Sequence, residues 1–63
     1  MTTLKITWSF DDDAFFRDAY ERATGEAIQD DPVIENGFYS VMTTRATPDM
    51  VDTLPCTYTE VVP

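Results

Sequence analysis

Twelve carboxylates are the side chains of this 63-residue sequence with the most capacity for chemistry, because the chain has no histidine and a single cysteine, Cys56. Carboxylates can act as general acids or bases, bind hard cations, or bind cationic surfaces of other molecules. Their densest run is "DDD" at residues 11–13. The spacing of the acids along the chain decides among these three kinds of chemistry.

That spacing argues against catalysis and against a calcium loop. General acid–base or nucleophilic catalysis usually employs a histidine or a carboxylate in a pocket, and Cys56 has no histidine base. An EF-hand loop beginning at Asp11 requires an oxygen ligand at its fifth position and glycine at its sixth, where this sequence has Phe15 and Phe16. We therefore predict that the protein is not an enzyme and uses no cofactor and no dedicated metal ion.

The acids are concentrated in one segment. The chain has a net charge of −8, and residues 11–35 contribute −7 of it. Such a field opposes binding to nucleic acid or anionic lipid and favours cationic protein surfaces. Helix carboxylates three and four residues apart lie about 5–6 Å from one another at Cβ, which is on the scale of duplex phosphate spacing. We predict an acidic, DNA-mimicking partner-binding surface formed by Asp11, Asp12, Asp13, Asp18, Glu21, Glu26, Asp30, Asp31 and Glu35.

The elements that position these acids follow from the apolar pattern. Residues 3–10 alternate apolar and polar side chains, whereas residues 38–46 and 56–62 are rich in β-branched and aromatic residues, so all three segments are predicted strands. A short helix is predicted from Pro48. With the main helix between the first two strands, the chain is predicted to be a single α+β domain over residues 1–63. We expect a three-stranded, mainly antiparallel sheet with the main helix on one face (β-α-β-short α-β).

The main helix is predicted from residue 12 to residue 24. Asp11 is its expected N-cap, with Phe10 and Phe15 at the positions of a hydrophobic staple, and Gly25 follows its end. Its apolar sector is predicted to comprise Phe15, Phe16, Ala19, Tyr20 and Ala23. Two oppositely charged pairs lie four residues apart: Asp18 with Arg22, and Arg17 with Glu21.

Helix initiation is an alternative explanation for the triplet at 11–13, because a cap and the helix dipole account for all three acids. It does not account for the later acids, which have no bases beside them in the sequence. Residues 26–37 are predicted to form a loop. A short hairpin that pairs Val33–Glu35 with Phe38–Ser40 through a type I′ turn at "NG" is the alternative.

The chain resembles a known class in its length, its "MTTLKITW" opening strand and its acid-rich "DDDAFFRDAYERATGEAIQDDP" segment. It is similar to the small acidic anti-CRISPR proteins of phages and mobile elements, most of all those of type I-C. Several such proteins place an acidic face on the DNA-binding surface of type I Cascade, often where the large subunit reads the PAM. The resemblance spans the chain in size, charge and layout without a diagnostic motif. It implies a monomeric, stoichiometric inhibitor in the cytoplasm of the host bacterium.

Two further classes of function stay open from the sequence. The chain could inhibit another host nucleic-acid enzyme, such as RNA polymerase, a restriction enzyme or a nuclease, by the same mimicry. It could instead be a small adaptor subunit that binds through aromatic residues such as Trp8, Tyr39 and Tyr58, in which case binding would persist at high salt. The salt dependence of binding separates the adaptor from the two inhibitors.

Overall fold

A four-stranded antiparallel sheet is the frame of the protein in a computed structural model, which describes residues 2–29 and 31–61. The elements along the chain are β1 (Thr3–Ser9), a 3₁₀ turn (Phe10–Asp12), α1 (Asp13–Thr24), β2 (Val33–Glu35), β3 (Phe38–Thr43), α2 (Pro48–Val51) and β4 (Thr57–Val61). The strands lie in the sheet in the order β2-β3-β1-β4.

The predicted α+β class, with one main helix beside an antiparallel sheet, is confirmed, but the predicted count of three strands is wrong. The fourth strand is β2, which pairs with β3 through Glu35 and Phe38. Asn36 and Gly37 between them have φ of 52° and 82°, the left-handed conformation that a type I′ turn requires. The hairpin alternative is therefore the correct one. A three-residue arm carries too little periodicity to outweigh a loop prediction.

The sheet has one covered face and one uncovered face. Leu4, Ile6 and Trp8 alternate along β1 on the covered face, where they are buried beneath α1. Lys5 and Thr7 point the opposite way, because side chains alternate along a strand. We call this second side the open face. The strand registers give it these further members: Val33, Glu35, Phe38, Ser40, Met42, Thr57 and Thr59.

An aromatic stack joins α1 to the covered face. The rings of Trp8 and Phe16 lie 4.3 Å apart between centroids with an interplanar angle of 19°. Tyr20 is buried one turn later, and its hydroxyl lies 3.2 Å from the Thr43 hydroxyl on β3. Large buried aromatics of this kind supply much of the apolar burial that a chain of this length needs.

The start of α1 differs from its prediction. Asp12, not Asp11, is the N-cap, and its carboxylate makes no capping hydrogen bond. The preceding 3₁₀ turn has three residues per turn and separates Phe10 from the apolar side of α1. The Phe10 ring consequently packs against Tyr39 at 4.5 Å rather than against Phe15, so the staple is absent from the described contacts. Phe15 is 70% exposed.

The rest of α1 follows the prediction more closely. Of its predicted apolar sector, Phe16 and Tyr20 are buried, whereas Phe15 and Ala23 are exposed. Gly25 ends the helix as predicted, with φ of 81° and its N–H donating to the Glu21 carbonyl at 2.8 Å. The helix is therefore held to the sheet along a narrow stripe.

Candidate protein-interaction surface

Asp13 is the one member of the acidic triplet that points inward. Its Oδ1 accepts a hydrogen bond from the Trp8 indole N–H at 2.8 Å and another from Arg17 Nε at 2.8 Å. The indole hydrogen bond, followed by that from Arg17, lowers the pKa of the Asp13 carboxyl below its ordinary value. Asp13 thus fastens the first turn of α1 to β1 and is unavailable as a free surface charge.

Arg17 completes this cluster. Its guanidinium lies 5.8 Å from the Trp8 ring centroid and 5.7 Å from that of Tyr39, within the range of cation–π attraction. The predicted pair of Arg17 with Glu21 is therefore replaced by an ion pair with Asp13, one turn towards the N-terminus. The Arg17 guanidinium is stabilised on that side of the helix by the two aromatic rings and by the Asp13 carboxylate, which the Trp8 indole already holds in place.

All three arginines are engaged by neighbouring acids. Arg22 pairs with Asp18 at 3.2 Å, as predicted from their spacing. Arg45 pairs with Glu26, which sequence reasoning left without a partner because the two residues are far apart in the chain. Within residues 2–29 and 31–61, these pairs leave several exposed site acids without an ion-pair partner: Asp11, Asp12, Glu21, Asp31 and Glu35.

Two of the predicted site acids lie beside an exposed aromatic ring on α1. Asp18 follows Phe15 by three residues, a neighbouring position on the helix surface, and Asp12, the N-cap, precedes it by three. Asp11 immediately precedes Asp12, and Glu21 lies about one helical turn after Asp18. We define Asp11, Asp12, Phe15, Asp18 and Glu21 as the helix-side surface. Sequence reasoning assigned Phe15 to the core because of the staple and missed it as a surface residue.

The remaining predicted site acids lie elsewhere. Asp31 and Glu35 line an open groove of about 390 Å³ on the open face, together with Lys5, Val33 and Met42. The sheet separates this groove from α1, since Glu35 shares the face of Phe38, opposite to the covered residues. Asp30 lies outside the described residues. The nine predicted acids therefore do not gather on one surface.

The aromatic residues proposed for an adaptor interface are mostly engaged in contacts within the protein. Trp8 is buried, so it is not available to a partner, and Tyr39 and Tyr58 are half-buried. The Tyr58 hydroxyl donates to Asp52 at 2.8 Å, and this hydrogen bond raises the pKa of the phenol. The large apolar side chains that are exposed are instead Phe10, Phe15, Val33, Ile34, Phe38 and Met42.

Cys56 has the surroundings of a packing residue. It is half-buried, its Sγ lies 3.6 Å from the Val51 carbonyl, and burial raises the pKa of its thiol. A raised thiol pKa opposes the thiolate that nucleophilic chemistry needs. Among the described residues there is no cluster of three or more acidic or cysteine side chains arranged to hold a metal ion. None of the described helices has the length and apolar character needed to cross a bilayer.

Fold and surface together define a small α+β domain with an acidic helix side and an uncovered sheet face. Comparisons with protein-family models, with curated protein sequences and with solved structures give no match to this chain.

Proposed function

We propose that this protein is a non-catalytic, stoichiometric inhibitor that binds the basic, DNA-binding surface of a host protein complex through its helix-side surface. The resemblance to small acidic anti-CRISPR proteins designates type I Cascade as the partner, at the site where target DNA and its PAM are bound. The inhibitor would act in the cytoplasm of the host bacterium.

The observation that carries the proposal is the exposed ring of Phe15 between Asp12 and Asp18. Protein-binding hot spots combine a central apolar or aromatic group with a polar rim that excludes water. A phenyl face attracts an arginine guanidinium, and flanking carboxylates accept its N–H groups in paired hydrogen bonds. A DNA-binding channel offers such arginines in numbers, so this geometry suits it better than an apolar partner surface.

The charge of the chain supports the same partner. Arg22 lies beside the helix-side surface on α1, and Asp18 already pairs with it. The surface is therefore acidic even beside this arginine. Complementary charge speeds encounter with a basic partner and makes binding depend on salt.

A competition assay tests the proposal. Binding of target DNA to purified type I Cascade is measured with and without the protein over a salt series. We expect DNA binding to be lost at low salt and to recover as salt rises. Phe15→Ala and Asp12→Lys should each weaken inhibition by about tenfold or more, the scale of a single hot-spot truncation.

Glu60→Lys is the matched control for the charge reversal. Glu60 is exposed on β4 and pairs with Leu4, at the end of the sheet away from the start of α1. It should leave inhibition nearly unchanged. Equal losses from Asp12→Lys and Glu60→Lys would show that net charge, not the helix-side surface, matters. Undisturbed DNA binding would reject Cascade as the partner. RNA polymerase, restriction enzymes and nucleases would then be the next basic targets to assay.

A further inference from the structure

The open face of the sheet carries three exposed apolar side chains among polar ones, and no described element packs on it. Val33, Phe38 and Met42 are 64%, 46% and 60% exposed. At its centre, the hydroxyls of Thr7 and Ser40 lie 3.0 Å apart and hydrogen-bond with each other. Covering this face would therefore remove apolar surface from water without leaving these two hydroxyls unpaired.

Lys5 and Glu35, two of the three charged residues of this face, stand diagonally across it; the third is Asp31, which lines the same groove. Lys5 pairs with Met42 across β1 and β3, whereas Glu35 pairs with Phe38 across β2 and β3. Two strand spacings separate them across the sheet, about 10 Å, and four residues separate them along it, about 13 Å. Ser40 lies midway in both directions. Lys5 is the only lysine in the sequence.

We propose that the open face binds a second copy of this chain, with a two-fold axis that runs in the interface over Ser40. This two-fold rotation places Lys5 of each copy over Glu35 of the other copy. Two contacts between opposite charges therefore form at once. Such self-complementarity is what an isologous interface requires. This inference goes beyond the proposed function and replaces the monomer expected from the sequence.

The same rotation matches the apolar residues. On an idealised flat sheet, Met42 falls over Val33 of the second copy, and Phe38 falls over Thr7 and the aliphatic stem of Lys5. The strands of the two sheets then cross at about 70°, close to the orthogonal class of sheet packing. One operation thus pairs Lys5 with Glu35 at two contacts and matches the three apolar side chains of the face, whereas Asp31 gains no opposite charge from it.

The distribution of charge favours the open face over the helix side as the place where a second copy binds. A net charge of −8 opposes self-association. In this arrangement, however, the helix-side surfaces of the two copies point away from each other on the outer sides of the paired sheets. An interface of standard size takes about 800 Å² per partner, roughly a fifth of the 4376 Å² surface of this chain. The four-stranded face is about 15 Å wide, which limits the area that it can bury, so we expect a weak, reversible dimer.

Sedimentation velocity over a concentration series tests the dimer by charge exchange. Native protein should associate from the micromolar range upward. Lys5→Glu and Glu35→Lys should each weaken association by about tenfold or more, because each puts like charges opposite one another. An equimolar mixture of the two variants should associate again, since Lys5→Glu chains and Glu35→Lys chains present opposite charges at both contacts. The double variant should dimerise like the native chain.

Arg22→Glu and Glu21→Lys are the matched controls, because they make the same charge changes on α1. Neither should weaken association, and re-association of the mixture shows that the single variants still fold. Native protein that stays monomeric overturns the proposal and leaves the open face to a different protein. A dimer that the single variants do not weaken, or a mixture that does not re-associate, also overturns it, because the interface then lies elsewhere. No assay here involves Cascade, so the result is independent of the proposed function.

Discussion

Removal of the Asp13 carboxylate should destabilise the fold far more than removal of its neighbour Asp12. Asp13→Ala deprives the buried Trp8 indole of its acceptor at 2.8 Å. A buried donor left unpaired costs about 1–3 kcal/mol. The half-exposed ion pair with Arg17 adds at most about 1 kcal/mol. We therefore expect Asp13→Ala to lower the free energy of unfolding by about 2–3 kcal/mol.

Urea unfolding followed by fluorescence measures this difference directly, because Trp8 is the only tryptophan and lies in the core. Asp12→Ala is the matched control. The Asp12 carboxylate is exposed and accepts one hydrogen bond, from Ser9 at 3.2 Å, so its loss should cost less than about 0.5 kcal/mol. Asp13→Asn retains an acceptor without the charge and should fall between the two. Equal losses from Asp12→Ala and Asp13→Ala would refute the role assigned to Asp13.

The pH dependence of stability follows from the same contact. The Asp13 pKa is lowered in the folded protein, chiefly by the Trp8 hydrogen bond and then by Arg17. Its stabilising contribution is therefore fully present above the pKa of an unfolded aspartate and is lost as pH falls through the lowered folded value. The difference in unfolding free energy between the native protein and Asp13→Asn should shrink on acidification. A constant difference down to strongly acidic pH would contradict this assignment.

Three further substitutions test the packing and the turn. Phe16→Ala should lower the free energy of unfolding by about 3–5 kcal/mol, whereas Phe15→Ala should change it by less than about 0.5 kcal/mol; urea denaturation of both variants checks which phenyl ring belongs to the core. Gly37→Ala should cost about 1 kcal/mol in the same assay, because φ of 82° strains a residue with a Cβ although no atom lies within 4 Å of it. If Gly37→Ala left the free energy of unfolding unchanged or raised it, the backbone strain assigned to this position would be contradicted.

Local sequence patterns predict those helices and strands whose determining residues lie within or next to the element. Alternation along Thr3–Ser9 identifies β1, and Gly25 marks the end of α1, because both signals lie within the residues concerned. The pairing of Asp18 with Arg22 was predictable for the same reason. β2 was predicted only as the hairpin alternative to a loop, because its three residues gain stability only from β3 and so short a strand has little pattern of its own.

The candidate surface was less predictable because contacts distant in sequence decide it. Asp13 is predicted from the sequence as a partner-binding acid, with helix initiation as the alternative, but the Trp8 indole, five residues earlier, donates a hydrogen bond to its carboxylate. Arg45 forms an ion pair with Glu26, although their separation in the sequence corresponds to no helical spacing. The face of Glu35 depends on strand register, and a shift of one residue would reverse it. Composition therefore predicts an acidic protein, whereas only the fold says which acids share a surface.

The division of the acids by the sheet has a consequence for how the chain can bind. Asp31 and Glu35 share the open face with Lys5, so their charge is balanced in part there, whereas the helix-side surface has only Arg22, which Asp18 already holds. A partner with dense positive charge is therefore attracted to α1 rather than to the open face. Dimerisation through the open face would not compete with that partner, because α1 stays outward in both copies. It would instead present two helix-side surfaces on opposite sides of one particle, so each dimer could occupy two basic sites. The two proposed interfaces are compatible because opposite faces of the sheet carry them.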